Sequence, residues 1–217
     1  MKLSGHNLCC ERGGRRVFSD LDFSVETGQM LILRGPNGAG KTSLLRVIAG
    51  LNDIVDGEMR FDGGIKDEPI SGHCQFIAHQ DAFKPALSVE ENLQFWSDYF
   101  GGGDVQLALE AFSLEALASF SAGLLSAGQK RRLALGRLAM IERPIWLLDE
   151  PTVGLDAASV KQLQTLMAKH LANGGIIIAT THIDLGMKDA KVLDFAKLKT
   201  ASQEAVPQEA VPQEAGI

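Results

Sequence analysis

The stretch "MLILRGPNGAGKTSLLRVIAGL", residues 30–51, carries the pattern from which the architecture is inferred. An apolar run comes first, as in a strand buried on both faces of a parallel sheet. A glycine-rich loop follows, and then a segment with helical spacing. Within it Gly35, Gly40, Lys41 and Thr42 satisfy G-x-x-x-x-G-K-[ST], the phosphate-binding pattern, in the strand–loop–helix context that the pattern requires. Glycines let successive backbone N–H groups turn inward as an anion nest, and the following helix adds its positive end. Lys41 then reaches the β- and γ-phosphates of a nucleotide, and the Thr42 hydroxyl suits Mg²⁺.

On either side of it, the chain alternates strands and helices. "LSGHNLCCE" and "RVFSDLDFSV" read as a β-hairpin turning at Gly13–Gly14. "DGEMRFDGG" reads as a short strand, and "CQFIAHQ", "PIWLLDEP" and "IIIATTH" as buried ones. "ASVKQLQTLMAKHLANGG" reads as a helix, and "AKVLDFAKL" as a last, edge strand. From Gln80 the character changes. Ser88 and Glu91 form a capping box, with Val89, Leu93, Trp96 and Phe100 on one helix face after it. "GGGD" breaks this helix and "VQLALEAFSLEALASF" resumes helix. The expected fold is α/β: a P-loop NTPase with a mainly parallel sheet, an antiparallel β-subdomain and a helical subdomain. The expected domain covers residues 1–200, with the helical part at about 85–140. Residues 201–217 repeat Gln-Glu-Ala-Val-Pro and read as a disordered low-complexity tail.

Bulk composition narrows the function. The 217 residues carry a formal charge of −6, which argues against a nucleic-acid binder. No apolar run approaches the roughly 20 residues of a spanning helix. No secretory signal is visible, so a cytoplasmic chain without direct membrane insertion is expected. Cys9, Cys10 and Cys74 lack a framework and read as small buried hydrophobes.

"IWLLDEP" ends a strand in two carboxylates. Residues at the carboxyl ends of parallel strands face the ligand crevice. Asp149 is therefore a candidate Mg²⁺ ligand, and Glu150 a candidate base that polarises the water attacking the γ-phosphate. His182 ends another buried strand and is a candidate hydrogen-bond donor to that phosphate. Gln80 ends a third, where a neutral amide can touch both Mg²⁺ and water. A second phosphate-suited feature is "LLSAGQKRRLALGRL", residues 124–138. Ser126 and Gln129 form a capping box, and Gly128 removes bulk from the first turn. A helix on the sheet's flank cannot cover the phosphate held by Lys41 in its own chain. Two copies facing head to tail can each close the other's nucleotide. Lys130, Arg131 and Arg132 read as a solvated helix face.

Taken together these stretches resemble the nucleotide-binding domain of ABC transporters. "GPNGAGKT" is similar to its Walker A loop, "IWLLDE" to its Walker B and "LSAGQ" to its signature. "VGLD" resembles its D-loop, Gln80 its Q-loop and His182 its switch histidine. The resemblance implies that Gly35, Pro36, Asn37, Gly38, Ala39, Gly40, Lys41, Thr42 and Ser43 bind ATP. It implies that Ser126, Ala127, Gly128, Gln129 and Asp156 bind the partner's ATP in a homodimer. It also assigns Glu150, His182 and Gln80 to catalysis, and Thr42, Gln80 and Asp149 to Mg²⁺. Ala127 stands where the family has glycine. Arg12 stands where the family stacks an aromatic ring on adenine, so Arg12, or nearby Phe18, is expected to cover the base.

"LCCERGGRRVFSDLDF" and "TTHIDL" look most like the ATP-binding subunits of bacterial cytochrome c maturation transporters. That likeness implies separate membrane subunits, haem export and a place on the cytoplasmic face of the inner membrane. Phe83, Trp96, Tyr99 and Phe100, just after Gln80, are then candidates for a groove that receives a membrane-subunit helix, or for core. The alternatives are an ATPase of a lipid or drug exporter, or a soluble ABC ATPase working on ribosomes or DNA.

Overall fold

The computed structural model describes residues 1–187 and 189–198; the repeat at 201–217 lies outside the described residues. Five parallel strands form the main sheet in the order β5-β6-β7-β3-β8. They are β3 (Met30–Arg34), β5 (Cys74–Ile77), β6 (Ile145–Asp149), β7 (Ile176–Thr180) and β8 (Lys191–Asp194). β6 and β7 are buried at every position, which is why they read as unbroken apolar runs. A parallel sheet needs crossovers, and helices supply them. Helix α1 (Lys41–Ile48) lies on one face, packing Leu44, Leu45, Val47 and Ile48 against Leu31, Leu147 and Ile178. Helices α2 (Val89–Phe100), α3 (Val105–Ala111), α4 (Ala127–Met140) and α5 (Ala157–Ala172) are gathered on the other, around Ile77, Trp146, Leu148 and Ile177. Each such side chain contributes about 1.5–3 kcal/mol by leaving water.

The second sheet is antiparallel, ordered β2-β1-β4, from β1 (Lys2–Arg12), β2 (Arg15–Glu26) and β4 (Asp56–Asp62). Arg12 pairs with Arg15 across the Gly13–Gly14 turn, whose φ values of 58° and 71° need glycine-like freedom. Leu3, Leu8, Leu21 and Val25 are buried beneath the sheet against the α1 side of the core. Cys9, Cys10 and Cys74 are buried free thiols, and burial pushes Cys74 up to about 12.

Two expectations fail here. The helix after "GGGD" ends at Ala111 rather than running on, and the rest of the stretch to Phe120 holds a single 3₁₀ turn, Glu115–Leu117. Ser113 takes φ 50°, and this bend lets Phe112 and Leu114 both reach the core with no exposure. The stretch Lys130–Arg132 is not a solvated face. Arg131 is buried, the Arg132 guanidinium donates to the Phe112 carbonyl at 3.1 Å, and Lys130 lies over the Phe83 ring at 5.5 Å.

At the far end of the sheet His170 stacks on Trp146, with ring centroids 3.8 Å apart. Burial pushes its imidazole down to about 4, although its place in the last turn of α5 would favour the cation. Below about pH 6.5 the unfolded chain takes up a proton that the folded one refuses, so protonation favours unfolding. Stability from this residue is therefore full above about pH 6.5 and is lost as pH falls toward 4, by roughly 2 kcal/mol after allowing for partial exposure. His170→Gln should flatten the fall of Tm with acidification over that window, as read by thermal unfolding at fixed ionic strength.

Candidate nucleotide site

The strand order brings the predicted carboxyl ends to one edge. β7 lies between β6 and β3, so the loops leaving all three are neighbours. From β3 comes the phosphate loop. Its two framing glycines take left-handed φ, 139° at Gly35 and 102° at Gly40. Side chains also exclude a Cβ there: one added at Gly35 would lie 2.8 Å from Phe195, and one at Gly40 2.8 Å from Val17. Pro36, Asn37 and Gly38 are exposed, Ala39 is half-buried, and Ser43 is packed inside α1. No side chain caps α1, so its first N–H groups are left to an anion. The Lys41 ammonium donates to the carbonyls of Gly35 at 2.7 Å and Pro36 at 2.9 Å, folded back on its own loop. A phosphate offers that cation a charge-assisted bond in place of two neutral carbonyls.

From β6 comes Asp149, only 3% exposed and held from two sides. Thr42 Oγ1 donates to its two carboxylate oxygens at 3.1 and 3.0 Å, and Thr180 Oγ1 donates at 2.7 Å. Asp149 and Thr180 are register partners in the β6–β7 pair, which fixes this contact. The Thr42 hydroxyl and the Asp149 carboxylate form an all-oxygen corner beside the phosphate loop. This fits a hard divalent cation that completes its shell with phosphate oxygens and water.

Glu150 follows with φ 47°, a left-handed conformation that is rare for a non-glycine residue. Its N–H donates to the Thr180 hydroxyl at 2.8 Å, and its carboxylate lies 3.3 Å from His182 Nε2. The carboxylate is 18% exposed and His182 63%, so the pair opens outward from a half-buried carboxylate. Glu150 and His182 are thus brought together as the sequence led us to expect, while Gln80 is not. Gln80 is exposed and makes no hydrogen bond to this cluster among the described residues. The segment after β5 meets the site through Ala78 and Asp81, which both bond to Arg131. Sequence reading missed Arg131 and Thr180. Thr180 was legible in principle, as the strand-end residue two places before His182. Nothing local marked Arg131.

The second phosphate-suited feature stands apart from the first. Ser126 caps α4 with both bonds of a capping box: its Oγ accepts from the Gln129 N–H at 3.3 Å, and Gln129 Oε1 accepts from the Ser126 N–H at 2.8 Å. Ser126 and Ala127 are exposed, and the leading N–H groups of the helix have no intrahelical acceptor. Gly128 is constrained from within the chain, since a Cβ there would lie 2.9 Å from the Gly154 carbonyl. Asp156 caps α5 by accepting from the Ser159 N–H at 2.8 Å, and that bond holds its carboxyl below the usual range. Arg12 is exposed at the hairpin end. The alternative, Phe18, does not hold: it is 3% exposed and packs edge-on against Phe195 at 6.2 Å, so its ring offers no face to a base.

Comparison with known proteins agrees with this architecture. Residues 18–153 match the profile of the family described as "ABC transporter". The cytochrome c biogenesis ATP-binding export protein CcmA of Nitrobacter winogradskyi is 50% identical over 189 residues, which cover 86% of this chain and 94% of that one. Among solved structures, an ABC transporter ATP-binding protein from Pyrococcus furiosus is similar with a TM-score of 0.77 and 26% identity, covering 91% of this chain and 99% of that one. A dimeric structure of the ATP-binding cassette MJ0796 in a post-hydrolysis state with ADP and Pi matches with a TM-score of 0.72 and 23% identity, over 83% of this chain and 88% of that one. By the family match over residues 18–153 and the likeness to a relative half identical across most of both chains, the chain belongs to the ABC transporter family and is one of its ATP-binding ATPases.

Proposed function

We propose that this ATPase is the energising subunit of an export complex for cytochrome c biogenesis, acting as a homodimer on membrane subunits supplied by separate chains. The observation that carries the export role is the likeness to CcmA across 94% of that protein's length. No helix among the described residues is long and apolar enough to cross a membrane, which is compatible with a peripheral place on the cytoplasmic face of the inner membrane. The dimer is supported by the exposed, capped tip at Ser126–Ala127, which is free to meet a second copy. In that arrangement the Ser126–Gln129 turn and the Asp156 loop of one subunit close the ATP held by Lys41 of the other.

Within each site, the loop from Gly35 to Ser43 wraps the phosphates in the backbone N–H groups of its non-proline residues, and Lys41 leaves its carbonyls for the β- and γ-oxygens. Thr42 and Asp149 would hold Mg²⁺, with Gln80 completing the set once the segment after β5 moves inward. Bound there, Mg²⁺ would supply neutralisation of phosphate charge. Glu150 accepts a proton from the attacking water. His182 hydrogen-bonds the γ-phosphate and keeps the Glu150 carboxylate aimed.

Adenine is covered by Arg12 instead of an aromatic ring, by stacking of a planar guanidinium. Arg12→Ala should raise the ATP KM about three- to tenfold with kcat little changed. An unchanged KM for ATP would remove this role.

For the membrane partner, α2 offers a suitable face. Tyr99 is 69% exposed and Phe95 38%, while Trp96 and Phe100 are half-buried and lie under the guanidinium groups of Arg137 and Arg143. The export role is tested by purifying the chain from detergent-solubilised membranes. Integral membrane subunits that carry or handle haem are expected to accompany it. Subunits of a lipid or drug exporter, or ribosomes, would refute it.

A further inference from the structure

Arg131 sits one turn into α4, behind the exposed tip, and its side chain is 4% exposed. A guanidinium has five N–H donors, and here all five are used. Nε donates to the Pro151 carbonyl at 3.2 Å. Nη1 donates to the Ala78 carbonyl at 2.8 Å and to Asp81 Oδ1 at 2.7 Å. Nη2 donates to the carbonyls of Asp149 at 3.0 Å and Glu150 at 2.9 Å. Three successive carbonyls at the end of β6 thus converge on one cation. They bracket Glu150, the residue held at φ 47°. Thr180 holds the N–H of Glu150 and Arg131 holds its carbonyl, so the peptide groups on both sides of the unfavourable rotation are pinned. The same cation grips the segment after β5 through a carbonyl and a carboxylate.

We propose that Arg131 is a positioning residue for ATP hydrolysis: it holds Glu150 in its left-handed conformation and ties it to residues 78–81, so that displacement of that segment moves the Glu150 carboxylate. This rests on the reading of Glu150 as the base. Because Arg131 projects from the helix whose tip is to meet the partner's nucleotide, the same side chain joins one subunit's tip to its own catalytic carboxylate. A lysine cannot replace it, since an ammonium lacks the planar fork that reaches both sides at once.

The test uses the full-length purified chain, with release of inorganic phosphate as readout. Arg131→Lys should lower kcat about 10- to 50-fold while the ATP KM stays within about threefold. Arg131→Gln should fall further. In a Glu150→Gln background Arg131→Lys should change the residual rate by less than about twofold, because no carboxylate remains to be aimed. A kcat for Arg131→Lys within about twofold of the unsubstituted chain overturns the proposal. So does an undiminished drop in the Glu150→Gln background, which would mark Arg131 as a general scaffold residue. If Arg131 variants do not fold, Asp81→Ala removes only the charged tie. A three- to tenfold loss of kcat at constant KM supports the link to residues 78–81, and an unchanged kcat overturns it. Glu150→Gln alone separates the two readings: full activity in that variant would refute the base assignment, whatever Arg131 does.

Discussion

Glu150→Gln is expected to stop multiple turnover and leave ATP bound. The carboxylate is 18% exposed and borders His182 at 3.3 Å. An amide in its place keeps the size and the backbone bonds to Thr180 and Arg131, but it cannot accept a proton from water. Removing a general base costs about 10²–10⁴-fold, and hydrolysis should fall within that range. The phosphate loop, Thr42 and Asp149 are untouched, so ATP affinity should hold. If two copies enclose two nucleotides, slowing hydrolysis should populate the closed pair. Size-exclusion chromatography with light scattering, in ATP and Mg²⁺, should then show a dimer that the ADP form lacks. A variant that holds ATP and stays monomeric would contradict the head-to-tail arrangement.

Gly128→Val tests the other half of that arrangement. A Cβ at this position meets the Gly154 carbonyl at 2.9 Å, and a backbone oxygen cannot step aside as a flexible side chain does. The branched side chain also covers the N–H groups at the head of α4, which the head-to-tail model assigns to the partner's phosphate. Hydrolysis should fall about 100-fold, comparable to loss of an oxyanion donor. Binding of ATP to the isolated chain should remain within about twofold, since the Lys41 loop belongs to a different part of the fold. Combined with Glu150→Gln, the variant should not dimerise. Equilibrium binding of a fluorescent ATP analogue and light scattering separate these effects. Undiminished hydrolysis would show that the tip of α4 takes no part.

The two substitutions differ in how readable their sites were. The phosphate loop and the α4 cap are local devices. Glycine at Gly35 and Gly40 and the Ser126–Gln129 pair dictate backbone geometry within a few residues, so their spacing carries the meaning. The candidates Asp149, Glu150 and His182 were legible for a different reason: the carboxyl ends of parallel strands share one edge whatever the loop details. Arg131 was misread because one positive charge between two others looks solvated. Its acceptors lie on strand ends 18 to 53 residues away in sequence, and only the folded chain assembles them. Phe18 was misread as a base platform because its burial depends on Phe195, contributed by the far end of the chain. Gln80 was expected among the catalytic atoms, yet it stands exposed, leaving its neighbours Ala78 and Asp81 to touch the site.

Residue order along the chain was enough to predict the alternation of strands and helices, the nucleotide loop, the strand-end acids and the capped tip of α4. Each of these follows from backbone sterics, hydrophobic period or hydrogen bonds closed within one turn. Folding in three dimensions was needed to share Asp149 between Thr42 and Thr180 and to hold Glu150 left-handed. It was needed too for a buried guanidinium to join the end of β6 to the segment after β5. Those outcomes depend on which strands become neighbours and on the satisfaction of buried polar groups. Neither can be read from the order of residues along the chain.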